Sequence, residues 1–185
     1  MGNPLHERRT AAEWSAASQV IEIDEKISVF EQLSAVVEDD LAMLDADKIP
    51  ADWRDTQVTG RLEFGFADAQ QQLPRVHCRV ATNAHAVCQR CLEPFRLPLE
   101  AEADLLLLDL EQDVDGYDDH EVWELEDKLL RPRDIVEELL IMALPFSAMH
   151  TESAACRTLS AESEGSVEKI TTPFAALREQ MAKDN

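Results

Sequence analysis

The chain has 185 residues, of which 45% are apolar, and sets 38 acidic side chains against 17 basic ones, for a formal net charge of -21. The length suits one domain with a sizeable core, and the apolar fraction is ordinary for a globular protein. The charge excludes a large basic footprint on nucleic acid, because a phosphate backbone would repel it; it suits a basic partner or, more plainly, a solubilising surface.

Residues 1–19 are polar with scattered alanines and no apolar h-region, so they read as a flexible arm rather than a secretory signal. Residues 20–182 read as a single domain. Val20-Ile21-Glu22-Ile23 has the β-branched character of a short strand. Val29, Phe30, Leu33, Val36, Val37, Leu41 and Leu44 then recur at helical spacing, with Ser28 and Glu31 placed as a capping box and Pro50 beyond the end. Val58, Leu62, Phe64 and Phe66 keep the two-residue period of a strand, as do Val76, Cys78, Val80 and Thr82, and Phe95 to Leu108 supplies at least one more. Successive strands with short turns predict an antiparallel meander, and with the helices an α+β fold.

Residues 109–127 hold ten carboxylates and no Lys or Arg, which predicts an acidic surface loop. Glu111, Asp113, Asp115 and Gly116 resemble the first half of a calcium loop, but Val122 stands where a bidentate Glu is needed. Pro132 and Asp134 suit a helix first turn. Ile135, Val136, Leu139, Leu140 and Ala143 form its apolar face, Glu137 and Glu138 its exposed side, and Pro145 its stop. Residues 147–171 read as irregular, followed by a short helix from Thr172 to Met181. The longest apolar run, Leu139 to Phe146, is too short to span a bilayer. Four cysteines in a chain this long are not a small secreted disulfide scaffold, so the expected location is the cytoplasm, with thiols reduced or metal-bound.

Two groups of residues carry chemistry. Cys88 and Cys91 form a Cys-x2-Cys turn, half of a tetrahedral zinc set, and His150 with Cys156 are the available second half. The alternatives are free thiols at a β-turn with a surface histidine, or a redox dithiol. The dithiol lacks the surrounding βαβ pattern. Arg75, Arg79, Arg90 and Arg96, with His77, cluster around the same turn and are candidate contacts to RNA or a partner; the alternative is surface charge balancing Glu93, Glu100 and Glu102. No Gly-rich phosphate loop, Gly-x-Ser-x-Gly or His-Glu-x-x-His motif is present, so the sequence offers no argument for an enzyme.

Cys88-Gln-Arg-Cys91-Leu-Glu-Pro-Phe95, then Asp134 to Pro145, then His150, Cys156 and Thr172-Pro-Phe-Ala-Ala-Leu177, resemble the YceD-like family, the large ribosomal RNA subunit accumulation proteins. The resemblance runs over roughly residues 58–180. It implies a role in accumulation of 23S-type rRNA and in assembly of the large ribosomal subunit, and no established reaction; the expectation built on it is a non-enzymatic factor whose arginine-bearing Cys turn and sheet bind pre-rRNA or an assembly intermediate. The competing expectation is an acidic chaperone for a basic ribosomal protein that never touches RNA. Where some relatives are richer in cysteine after the Leu-Pro element, this chain has His150 and Cys156.

Overall fold

Alternating apolar and polar residues place five strands in one sheet, in the order β1-β2-β3-β4-β5, in a computed structural model describing residues 3–109, 121–125, 128–150 and 156. The strands are β1 (Val20–Lys26), β2 (Gln57–Phe66), β3 (Pro74–Val87), β4 (Pro94–Asp109) and β5 (Glu121–Leu125). Three helices, α1 (Ala11–Ala16), α2 (Glu31–Leu41) and α3 (Pro132–Met142), complete the expected α+β fold. β1 to β4 form the predicted antiparallel meander, whereas β5 pairs with β4 in parallel. The acidic loop is thereby shortened at both ends: Asp109 closes β4 and Glu121–Leu125 is strand. The calcium-like positions and the Thr172–Met181 helix lie outside the described residues.

The sheet is two-faced because its registers are in phase. Ile21, Leu62, Cys78 and Ala103 lie side by side across four strands and are all buried. They join Leu33, Val37 and Leu41 of α2 and Ile135, Val136 and Leu140 of α3 in one core. One row along, Gly60 lies between Ile23 and Val80, and a Cβ there would meet the Arg79 carbonyl oxygen and lie 2.8 Å from the Val80 Cα. Only glycine lets β2 and β3 approach this closely. The opposite phase places Glu22, Arg61, Arg79 and Glu102 in register on the outer face.

The N-terminal segment differs from the flexible arm expected of it. Thr10 and Glu13 form a capping box that starts α1, and Trp14 is 0% exposed. The Trp14 ring stacks on Phe64 at 5.3 Å, its Nε1 donates to the Leu130 carbonyl at 3.3 Å, and Arg9 lies over it at 4.6 Å. Arg9 and Leu130 also exchange backbone hydrogen bonds, so the segment is fastened to the approach to α3. An aromatic side chain buried this completely outweighs the polar composition around it.

α2 also begins differently. Ser28 belongs to a 3-10 turn (Ile27–Val29), the N-cap is Phe30, and no side chain of the first turn caps the helix. The cap comes from α3. The Glu137 carboxylate accepts from the backbone N–H of Gln32 at 2.5 Å and of Leu33 at 3.1 Å, and Glu137 is 3% exposed. It is therefore not on the exposed side of α3, as helical spacing suggested; Glu138 is. A carboxylate here satisfies two orphan donors and complements the positive end of the α2 dipole, which repays its desolvation. Arg133 supports the same junction, donating to the Val29 carbonyl at 3.2 Å. None of the helices among the described residues is long and apolar enough to cross a membrane.

Candidate metal centre and the arginine strip

β3 and β4 are joined by the Cys turn, and its backbone closes on itself. The Leu92 N–H donates to the Cys88 carbonyl at 2.8 Å and the Cys88 N–H to the Glu93 carbonyl at 3.0 Å. Leu92 takes a φ of 57°, the left-handed conformation that turns the chain back into β4. The base of the turn is held from α2, whose Asp40 carboxylate accepts from the Val87 N–H at 2.7 Å. From the other side, the Gln89 N–H donates to the Ala148 carbonyl at 2.9 Å, drawing the chain after α3 against the turn.

That last contact positions His150. Its Nε2 lies 3.7 Å from the Cys91 Sγ, and its ring packs against Phe95 at 5.2 Å. The ligand atoms of Cys88, Cys91, His150 and Cys156 all lie within 4.8 Å of one another. Cys88 and Cys156 are buried, Cys91 and His150 half-buried. The His150 Nδ1 is buried with no hydrogen-bond partner among the described residues. The four candidate ligands named from sequence thus form a cluster able to hold a metal ion. Cys78 takes no part: it faces the core from β3, where burial pushes its thiol up to about 12.

The arginines have a different setting. Arg75 forms a bidentate pair with Asp104, and Arg79 binds Glu102 at 2.7 Å. Arg61, in register with Arg79, binds Glu22 at 3.0 Å and Glu63 at 2.6 Å. Arg96 binds Asp52 at 2.8 Å. Arg75, Arg79 and Arg96 are therefore each matched by a carboxylate, and for Arg75 and Arg79 the partner lies across the β3–β4 ladder, the arrangement expected of cross-strand opposite charges. Arg90 is exposed between the two thiols, with its guanidinium 4.0 Å from the Met149 sulfur.

His85, near the end of β3, was not singled out by sequence reasoning. It is buried, and its Nε2 lies 3.8 Å from Asp52. Burial, with the positive charge of Arg96, lowers its pKa below the ordinary histidine value, although Asp52 opposes this. Its position in an alternating strand was the available signal, but that pattern does not distinguish a core histidine from a surface one.

The model of the family described as "Large ribosomal RNA subunit accumulation protein YceD" matches residues 76–180. The match covers more than half of the chain, including most of β3, the Cys turn, β4 and α3, and the chain belongs to this family. The family description names accumulation of large-subunit ribosomal RNA and not a reaction. No curated protein and no solved structure matches the chain.

Proposed function

We propose that this protein supports accumulation of 23S-type rRNA without catalysing a reaction, by binding an assembly intermediate of the large ribosomal subunit. Membership of the family supports the role in rRNA accumulation. The mode of contact is carried by one observation: Arg75, Arg79 and Arg96 are each matched by a carboxylate, on a chain of net charge -21. Moving such an arginine onto phosphate would strand its carboxylate beside the RNA, so the gain is offset by repulsion. The chain is better suited to a basic ribosomal protein within the intermediate than to bare rRNA. In this reading the Cys/His cluster is structural, a metal-held corner that shapes the β3–β4 turn.

Direct rRNA contact is the second reading, and Arg90 is what favours it, because the turn holds that side chain outward between the thiols. The test is made in growing cells. Ultraviolet crosslinking reports RNA contact, while chemical crosslinking on isolated large-subunit precursors, read by mass spectrometry, reports protein contact. The expected result is cosedimentation with precursor particles and crosslinks to a basic ribosomal protein. Enriched large-subunit rRNA fragments that disappear in Arg90→Glu would replace this reading with direct RNA contact. Failure to sediment with any precursor particle would overturn both.

A further inference from the structure

We infer that the groove between α2 and the chain leaving α3 docks a segment of a basic protein, through one apolar anchor residue flanked by Lys or Arg. The inference rests on the basic-partner reading given above and names where that partner binds. The groove is lined by Val36 and Asp40 of α2, Leu97 of β4, and Leu144, Pro145 and Phe146 after α3. Its volume of about 160 Å³ is below the roughly 300–1,000 Å³ of pockets that enclose whole small molecules, and suits one large side chain. Leu97 and Leu144 pack against the core, whereas Phe146 is fully exposed and Val36 is exposed. Exposed Met43 extends the same surface: Val36, Asp40 and Met43 recur at i, i+4 and i+7 as α2 ends. Single exposed apolar residues are ordinary, but several bordering one groove mark an interaction site.

The charge beside the groove selects the partner. The last turn of α2 carries Glu38, Asp39 and Asp40 and no basic residue, which sets three carboxylates at the negative end of the helix dipole. Violations of a local rule of this kind are concentrated at functional sites. Glu38 is paired with Arg54 at 2.6 Å, and Asp40 accepts from the Val87 N–H at 2.7 Å. The exposed Asp39 side chain has no hydrogen-bond or ion-pair partner among the described residues. A Lys or Arg beside the anchor would meet both that carboxylate and the helix terminus. A second copy of this chain, the other apolar occupant, would bring a net charge of -21 against the same turn. Bare rRNA would meet apolar side chains and carboxylates here and is repelled for the same reason. The apolar anchor supplies the hold and the acidic rim the choice of partner.

The test uses the full-length protein with photoreactive p-benzoylphenylalanine in place of Phe146, mixed with the proteins extracted from purified large ribosomal subunits. Crosslinked peptides are identified by mass spectrometry. The expected product joins position 146 to a segment of a basic ribosomal protein in which a large apolar residue is flanked by Lys or Arg. A synthetic peptide of that segment, followed by fluorescence anisotropy, should bind the wild-type protein and lose about tenfold in affinity for Val36→Ser and for Asp39→Lys. Both positions are exposed, so both variants should keep the wild-type urea midpoint; Met43→Ser replaces either one that does not. Arg90→Glu, outside the groove, should bind the peptide as the wild type does. Peptide affinity unchanged in Val36→Ser and Asp39→Lys would overturn the groove as the site. Crosslinks from position 146 only to a second copy of this chain would overturn it in favour of self-association, and crosslinks to rRNA in growing cells would overturn it in favour of RNA. The assembly reading is judged separately, by sedimentation of the wild type with precursor particles. Sedimentation without a crosslink from position 146 to any basic ribosomal protein would refute the groove alone.

Discussion

Glu137 gives the strictest test of how the fold is held, because a sequence reader would place it on the surface. Replacing it by alanine removes the acceptor for the Gln32 and Leu33 N–H groups, one part-buried and one buried. Losing an N-cap costs about 0.5–2 kcal/mol, and a buried N–H left unmade about 1–3 kcal/mol, so Glu137→Ala should destabilise by about 2–3 kcal/mol. Glu137→Gln keeps a carbonyl acceptor of the same reach and loses only the charge at the helix N-terminus, a loss of about 1 kcal/mol. Glu138→Ala, one residue along on the exposed side, should stay within about 0.5 kcal/mol. The measurement is urea unfolding followed by circular dichroism, comparing midpoints at constant slope. The order alanine, glutamine, then wild type and Glu138→Ala together is the signature of a cap made across the core. Equal loss in Glu137→Ala and Glu138→Ala would refute the argument. So would equal loss in Glu137→Ala and Glu137→Gln, which would point to charge rather than hydrogen bonding.

Four further outcomes follow from the same structure. Trp14→Ala should cost about 3–5 kcal/mol in urea unfolding, as for a large buried aromatic, whereas a flexible arm would tolerate it. Gly60→Val should give little folded protein, because the added atoms meet β3 backbone rather than a movable side chain; soluble expression read by circular dichroism checks this. The lowered pKa of His85 stabilises the fold fully above the ordinary histidine value of about 6.5, and that contribution is lost as pH falls through the lowered value. The urea midpoint of the wild type should therefore fall more steeply than that of His85→Asn between about pH 7 and pH 5.5; parallel curves would disprove it. Iodoacetamide at pH 8 should modify Cys78 only as fast as the protein opens, since burial holds its thiol up to about 12. Rapid labelling of the native protein, located by peptide mass spectrometry, would contradict that.

The parts of the fold legible in the sequence are those with a local period. β2, β3 and β4 follow from alternation, and the Pro132 start of α3 from proline's tolerance of the first helical turn. The features that were missed depend on partners far away in the chain. The Thr10-Ala-Ala-Glu13 box was a readable helix start, but a six-residue helix gives too short a period, and burial of Trp14 depends on Phe64 and Leu130. β5 was hidden because Val122, Trp123 and Leu125 sit among carboxylates, and a parallel partner leaves no hairpin turn to signal it. Glu137 was misplaced because helical spacing assigns a face, and only the tertiary structure shows that the face meets an α2 N-terminus. At the site, Cys-x2-Cys was readable as half of a ligand set. Its meeting with His150 was a conjecture from the sequence, since the hydrogen bond that delivers it joins residues 89 and 148.

Among the described residues, the Cys turn, the end of α2 and the chain after Pro145 meet at one end of the β3–β4 pair. The Cys turn closes β3 and β4, Asp40 at the end of α2 holds its base, and the residues after Pro145 return to it through Ala148 and His150. α3 contributes from its first half, where Arg133 and Glu137 fix the start of α2. α2 therefore has its start set by α3 while its last turn anchors β3 immediately before the thiols. The apolar positions of the acidic helix motif build the core, its glutamate caps α2, and its Leu-Pro ending releases the chain toward the turn. A substitution in that motif is thus expected to act on the shape of the Cys turn before it acts on any partner. Loss of function in an α3 variant becomes evidence for partner contact only when its urea midpoint is unchanged, a condition that Glu138 meets and Glu137 does not.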